Sequence, residues 1–265
     1  MFSFQDSRGP VEVAFTDRQP GDGVGRDGAL DLAEPKDDSS AAGSDLAGLE
    51  ENLDIVGYAM ARGGKAEGDD LFALPAGVSV PALVRMHQVH GNGVHTVDKA
   101  WLDGRPEPPV ADGLVTDLPG VILLVRAADC VPVLLADVDR HVVGAAHAGR
   151  KGLVAGVVPG TVARMRELGA DRVTAWIGPS ICGRCYEVPA ELREEVVAEV
   201  PESFARTSWG TPAVDVVAGV RAQLEVAGVE TVDVATCTFE HDELYSYRRQ
   251  GAEAGRLGGL VWVRP

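Results

Sequence analysis

From Val80 onward the chain is a series of short apolar runs, rich in valine, leucine and isoleucine, interrupted by glycine and aspartate. The runs at Ala82 to Val89, Val94 to Val97, Gly113 to Thr116, Val121 to Arg126, Val131 to Asp137 and Val142 to Ala146 predict strands. Several are apolar on both faces and so belong in an interior. Further strands are expected at Val11 to Phe15, Val173 to Ile177, Val232 to Ala235 and Leu260 to Val263. Near-helical recurrence of Leu46, Leu49, Leu53, Val56 and Tyr58 or Met60 predicts a helix over Leu46 to Ala61, with Ser44 or Asp45 as its N-cap. Helices are also predicted over Leu153 to Leu168, Glu191 to Glu199 and Val214 to Val226. Gln19 to Ser44, rich in glycine, aspartate and serine, has little to bury and reads as an irregular acidic loop. Strands crowd the middle and helices are interspersed late, which predicts a mixed α/β fold of mixed β-sheets flanked by helices. There is no internal repeat and no convincing boundary, so one domain is expected over residues 1–265, with an irregular stretch at about 19–44.

Composition narrows the function. With 265 residues, 45% of them hydrophobic, the chain has enough apolar surface for a full core. Its 24 Lys+Arg against 40 Asp+Glu give a formal net charge of -16, which repels nucleic acid and anionic membrane surfaces. An anionic small substrate would need a local basic pocket set against that field. The start M-F-S-F-Q-D lacks a secretory signal and no run is long enough to span a membrane, so a cytoplasmic location is expected. Four cysteines are too few for a disulfide scaffold and are expected as thiols.

Three metal-prone residues sit where apolar runs break: His90 in R-M-H-Q-V-H-G-N-G, Cys130 in R-A-A-D-C-V-P and His147 in A-A-H-A-G-R-K-G. Taken alone, Cys130 reads as a small core residue. The recurrence of the pattern favours a site, because two imidazoles and one thiolate make a zinc centre with one position open. His87 and His90 lie three apart and would point to opposite faces of a strand, so they cannot easily share an ion. His90, directly before G-N-G, is the better candidate, and His87 reads as a packing residue. Arg150 and Lys151 open a predicted helix after His147, which suggests an anion pocket, a surface helix start being the plain alternative. Asp129 beside Cys130 reads equally as a group steering a metal-bound water or as a structural carboxylate. The single Cys182-x-x-Cys185 reads as a packed loop. Tyr245, Tyr247, Arg248, Arg249 and Arg256 gather in a chain with only 5% aromatics, suited to stacking a heterocycle and holding oxygens.

Taken together, Q-V-H-G, A-A-D-C-V-P-V-L-L, A-A-H-A-G, I-G-P-S-I-C-G-R-C-Y-E-V and C-T-F-E-H-D-E-L-Y-S-Y-R-R resemble the laccase-domain, or polyphenol oxidase-like, family over about Val80 to Pro265. A weaker match at F-T-D-R reaches Arg18. The resemblance implies a zinc-dependent purine nucleoside phosphorylase for adenosine, inosine and methylthioadenosine, with adenosine deaminase activity. It implies His90, Cys130 and His147 as metal ligands and catalytic centre, with Arg150, Lys151, Arg248 and Arg18 as substrate or phosphate contacts. Nucleoside and phosphate would be the partners of a monomer or small homo-oligomer. Where the family reads H-A-G-W-R-G, this chain has Arg150 and Lys151, and lysine lacks the bidentate fork of arginine. Three rival readings stand beside this one. A copper (Cu2+) polyphenol oxidase would need many histidines, commonly in H-x-H pairs, against six here and no such pair. A metal-free hydrolase would use Cys130 as nucleophile and His147 as base. A nucleoside-binding or cell-wall accessory protein would keep the pocket without turnover.

Overall fold

The computed structural model describes residues 2–18, 31–32, 53, 56–57, 60, 81–104 and 107–265. Most of the acidic stretch at 19–44 and of the helix expected over Leu46 to Ala61 lie outside the described residues. The strands are β1 (Phe2–Arg8), β2 (Val11–Thr16), β3 (Ala82–Arg85), β4 (Val94–Thr96), β5 (Gly113–Thr116), β6 (Val121–Ala127), β7 (Val131–Asp137), β8 (Val142–Ala148), β9 (Thr174–Ile177), β10 (Phe204–Arg206), β11 (Pro212–Val214), β12 (Glu230–Asp233) and β13 (Leu257–Val263). The helices are α1 (Lys99–Asp103), α2 (Arg150–Ala155), α3 (Val157–Glu167), α4 (Ala190–Glu199), α5 (Val216–Val226) and α6 (Tyr247–Gln250).

Two mixed sheets carry the fold, one ordered β1-β2-β13-β6-β3 and the other β12-β9-β7-β8-β5-β4. The strict period of two along a strand sorts their side chains into layers. From β7 and β8, Leu134, Ala136, Val143 and Ala145 enter the core between the sheets, with Val13, Leu123, Trp176 and Val261. Their neighbours Val131, Val133, Leu135, Val142 and Ala146 pack outward against Leu153, Val158, Val162, Val196 and Val220 of the helices. Because both faces are covered, these strands read as continuous apolar runs. The other face of the five-stranded sheet is covered by Val56 and Met60, with Leu53 against them, and by Leu32. Leu53, Val56, Gly57 and Met60 are helical, at the spacing of one helix face. Leu32 is fully buried, so the acidic stretch does have one apolar anchor.

Several expectations are corrected. The run Ala82 to Val89 is a strand only to Arg85, followed by a single bridge from His87 to Val110. The helix expected over Leu153 to Leu168 is two helices, α2 and α3, divided at Gly156, which takes the left-handed conformation at φ 80°. Pro159 accounts for the break, since its ring would collide with the carbonyl four residues back in a continuous helix. β1 escaped the pattern because its inward face ends in charged residues. Asp6 accepts a hydrogen bond from Trp176 Nε1 at 2.9 Å, and the Arg8 guanidinium lies 5.0 Å over the same ring.

Close packing between the sheets sets a hard limit at Gly178. A Cβ there would lie 2.3 Å from Cε1 of the buried Phe15. Gly178→Ala should therefore destabilise the fold by about 1–3 kcal/mol through overpacking. Urea unfolding would show a lowered midpoint; an unchanged midpoint would contradict this packing.

Candidate metal centre and cavity

The layer rule also places the candidate ligands. Pro132 and His147 are partners across β7 and β8. His147 continues the inward face of Val143 and Ala145, and Cys130 lies two residues before Pro132 on the same face. Both side chains therefore emerge at one end of the inter-sheet gap. The third candidate comes from the chain after β3. His90 adopts φ 59°, a left-handed turn before Gly91, which swings its ring toward the other two. His90 Nε2 lies 3.7 Å from Cys130 Sγ, and the His90 and His147 rings meet edge to face at 4.8 Å. One donor atom from each of the three lies within 4.8 Å of the others. His87 is exposed and does not join them.

A buried aspartate absent from the sequence reading organises this group. Asp112, just before β5, accepts a hydrogen bond from His147 Nδ1 at 2.8 Å, from the His90 backbone N–H at 2.9 Å and from Gly91 N–H at 2.7 Å. His147 is thereby held with Nε2 free to face the other donors. Burial raises the Asp112 carboxyl, but these hydrogen bonds outweigh it and leave it below its ordinary value. Burial likewise raises the Cys130 thiol, and the adjacent imidazoles reverse this, lowering it to about 6. Burial lowers His147, yet the Cys130 thiolate and Asp112 bring it up to about 9. These shifts favour a thiolate beside an imidazolium, and a cation would compete with protons for the same donor atoms.

The donor set fits a tetrahedral metal. Zinc bonds to sulfur and nitrogen in tetrahedral array imply an S to N separation of about 3.6 Å. Gly149 keeps the approach open, since a Cβ there would lie 2.8 Å from His90 and 3.0 Å from Cys130 Sγ.

The trio opens into a cavity of about 730 Å³, lined also by Gln88, Arg126, Asp129, Arg150, Tyr186, Tyr247, Arg248 and Arg256. That volume suits a small-molecule ligand. Four arginines converge here in a chain of net charge -16. Arg126 is buried and donates to the Leu32 and Met86 carbonyls at 3.2 and 3.3 Å. The Arg248 guanidinium lies 5.2 Å over the Tyr186 ring, forming a flat surface on the wall.

Other expected contacts are separated from the cavity. Lys151 is exposed and is not among the lining residues; one residue on along a helix turns the side chain away from the face used by Arg150. Arg18 lies over Tyr245 at 5.2 Å and donates to the Asp242 carbonyl, also outside the lining. Asp129 is a brace: its oxygens accept from Thr238 Oγ1 and Arg248 N–H, both at 2.6 Å. Arg249 clamps the Thr238, Phe239 and His241 carbonyls of the same loop. Arg126 and Asp112 each stand inside or beside an apolar run, and a charged residue in such a place is the signal in the sequence that marks them.

Comparison with known proteins agrees with the pattern of motifs. The family model described as multi-copper polyphenol oxidoreductase laccase matches residues 67–264. A purine nucleoside phosphorylase of Streptomyces coelicolor is 52% identical over 212 residues, covering 76% of this chain and 86% of the relative. Another of that name from Streptomyces griseus is 46% identical over 258 residues, covering 96% and 95%. The crystal structure of a Neisseria meningitidis protein superposes with a TM-score of 0.75 at 27% identity, covering 100% of this chain and 99% of that one. YlmD from Geobacillus stearothermophilus gives 0.73 at 25% identity, with the same coverage. The chain belongs to the laccase-domain family, that of the multi-copper polyphenol oxidoreductase laccase model.

Proposed function

We propose that the protein is a zinc-dependent purine nucleoside phosphorylase acting on adenosine, inosine and methylthioadenosine, with adenosine deaminase as a side activity. One observation carries this reading: an open His, Cys, His donor set and four arginines share a cavity of about 730 Å³, with room for a nucleoside and a phosphate together. The names of the two Streptomyces relatives support it. His90 Nε2, Cys130 Sγ and His147 Nε2 would hold the ion, which when bound supplies Lewis acidity to an oxygen nucleophile. Zinc is favoured over the several coppers of a polyphenol oxidase because those need many histidines, and only two of the six reach the centre.

The chain's own groups then do the positioning. Arg150 and Arg256 offer charge to phosphate, while Tyr247 and the stacked Arg248 and Tyr186 give a purine a flat surface. Asp112 holds the His147 proton on Nδ1 and the His90 turn in place. In phosphorolysis a phosphate oxygen bonds to the anomeric carbon as the carbon–nitrogen bond to the base breaks, leaving base and sugar 1-phosphate. In deamination water adds at the purine ring and ammonia leaves. Both need the same cavity. Among the described residues no helix is long and apolar enough to cross a membrane, in keeping with a proposed cytoplasmic location.

Product analysis with inosine and phosphate tests the proposal. Zinc-loaded protein should release hypoxanthine and ribose 1-phosphate, and intact inosine would overturn it. Asp112→Asn should lower zinc affinity or kcat/KM by about 10–100-fold, as loss of a carboxylate behind a histidine ligand does. Isothermal titration and steady-state rates would read this, and values equal to the parent would contradict the role of Asp112. In chelated protein, alkylation of Cys130 by iodoacetamide should rise with pH around a midpoint near the value of about 6, because only the thiolate reacts. A midpoint near the ordinary thiol value of 9.0 would show that the imidazoles do not stabilise the thiolate.

A further inference from the structure

Three of the four cysteines meet behind the cavity wall, away from Cys130. Cys182 and Cys185 lie in the loop after β9, and Cys237 in the loop after β12. A parallel bridge between Ser180 and Cys237 zips these loops, with Ser180 N–H donating to the Thr236 carbonyl at 3.0 Å and Thr238 N–H to the Ser180 carbonyl at 3.1 Å. Each loop then folds back on itself. Cys185 and Tyr186 N–H groups donate to the Cys182 carbonyl at 2.9 and 3.0 Å, and Glu240 N–H donates to the Cys237 carbonyl at 3.2 Å. A C-x-x-C turn and a C-x-x-E turn thus face each other. The three Sγ atoms and one Glu240 carboxylate oxygen all lie within 4.8 Å of one another.

We propose that Cys182, Cys185, Cys237 and Glu240 form a second, closed zinc site that is structural and separate from the His90, Cys130 and His147 centre. Tetrahedral zinc with thiolate ligands needs Sγ atoms about 3.8 Å apart, within a small contraction of the spacing observed. Four ligands leave no open position, which marks a structural site. A dithiol redox pair would use Cys182 and Cys185 and leave Cys237 and Glu240 without purpose. On binding, three thiols give up their protons to solvent as three sulfur–zinc bonds form. Four anionic ligands would leave the site with excess negative charge, and Arg184 is placed to offset it, with its guanidinium 3.9 Å from Glu240 Oε2. Burial and the crowding of neighbouring thiols push the Cys185 and Cys237 thiols up.

Such an ion would lock the loop carrying Tyr186 to the loop that Thr238 ties to Asp129 and, through Asp129, to Arg248. It would thereby fix the stacked wall of the cavity from behind.

Zinc counted by mass spectrometry on the full-length protein tests this independently of the catalytic reading. Two zinc ions per chain are expected, with one retained in Cys130→Ala, one in Cys182→Ser/Cys237→Ser, and none when the three substitutions are combined. Circular dichroism confirms that each variant is folded. Should the double variant fail to fold, Cys130→Ala loaded with Co2+ gives a second readout, expected as a strong multi-thiolate charge-transfer band with tetrahedral d–d bands. Zinc retained by Cys130→Ala, with the cobalt spectrum of three thiolates, upholds the site even if the chain has no phosphorylase activity. A Cys130→Ala protein that binds neither zinc nor cobalt overturns it, whatever the activity of the parent.

Discussion

The Asp112 carboxylate is the constraint on which the centre depends. It is fully buried, and it joins three segments that the sequence separates: its own strand entry, the turn at His90 and the end of β8 at His147. A carboxylate in such a place must be fully partnered, because removing one partner of a buried charge pair costs about 3–5 kcal/mol. The same bonds that satisfy it also fix the His147 tautomer and hold His90 in a left-handed turn. Folding and metal-site geometry are therefore one requirement here.

The sheets supply the rest of the positioning. β6 belongs to one and β7 to the other, so the short connection through Ala128, Asp129 and Cys130 crosses between layers at one end. Asp129, at φ 91°, turns that connection and anchors Thr238 and Arg248. The thiol is thus carried on rigid strand ends, and Arg248, in the short helix α6, is tied through its backbone N–H to the same residue. Four arginines gathered in one cavity offset, locally, the field of a chain with net charge -16, and their concentration there is what makes an anionic substrate compatible with the composition.

Much of this was legible in the residues. Buried strands announce themselves as unbroken apolar runs, and β5 and β7 fall on the expected bounds. Breaks in such runs mark strand ends, which is why His90, Cys130 and His147 stood out. What stayed hidden depends on long-range partners. Asp112 in V-A-D-G-L looks like a loop aspartate until His147, 35 residues on, is brought to it. Cys182 and Cys185 looked like a packed loop because Cys237, on a later strand's loop, arrives only through the Ser180 bridge. Lys151 looked equivalent to Arg150 because a string of letters does not show which way a helix turns.

On this reading His90, Cys130 and His147 would hold a zinc ion on the wall of an arginine-lined cavity. Anomalous diffraction at the zinc absorption edge, from crystals of the zinc-loaded protein, tests it most directly. A peak bonded to His90 Nε2, Cys130 Sγ and His147 Nε2 is expected, with one position open to the cavity. No peak among these three atoms, or one coordinated without Cys130, would contradict it.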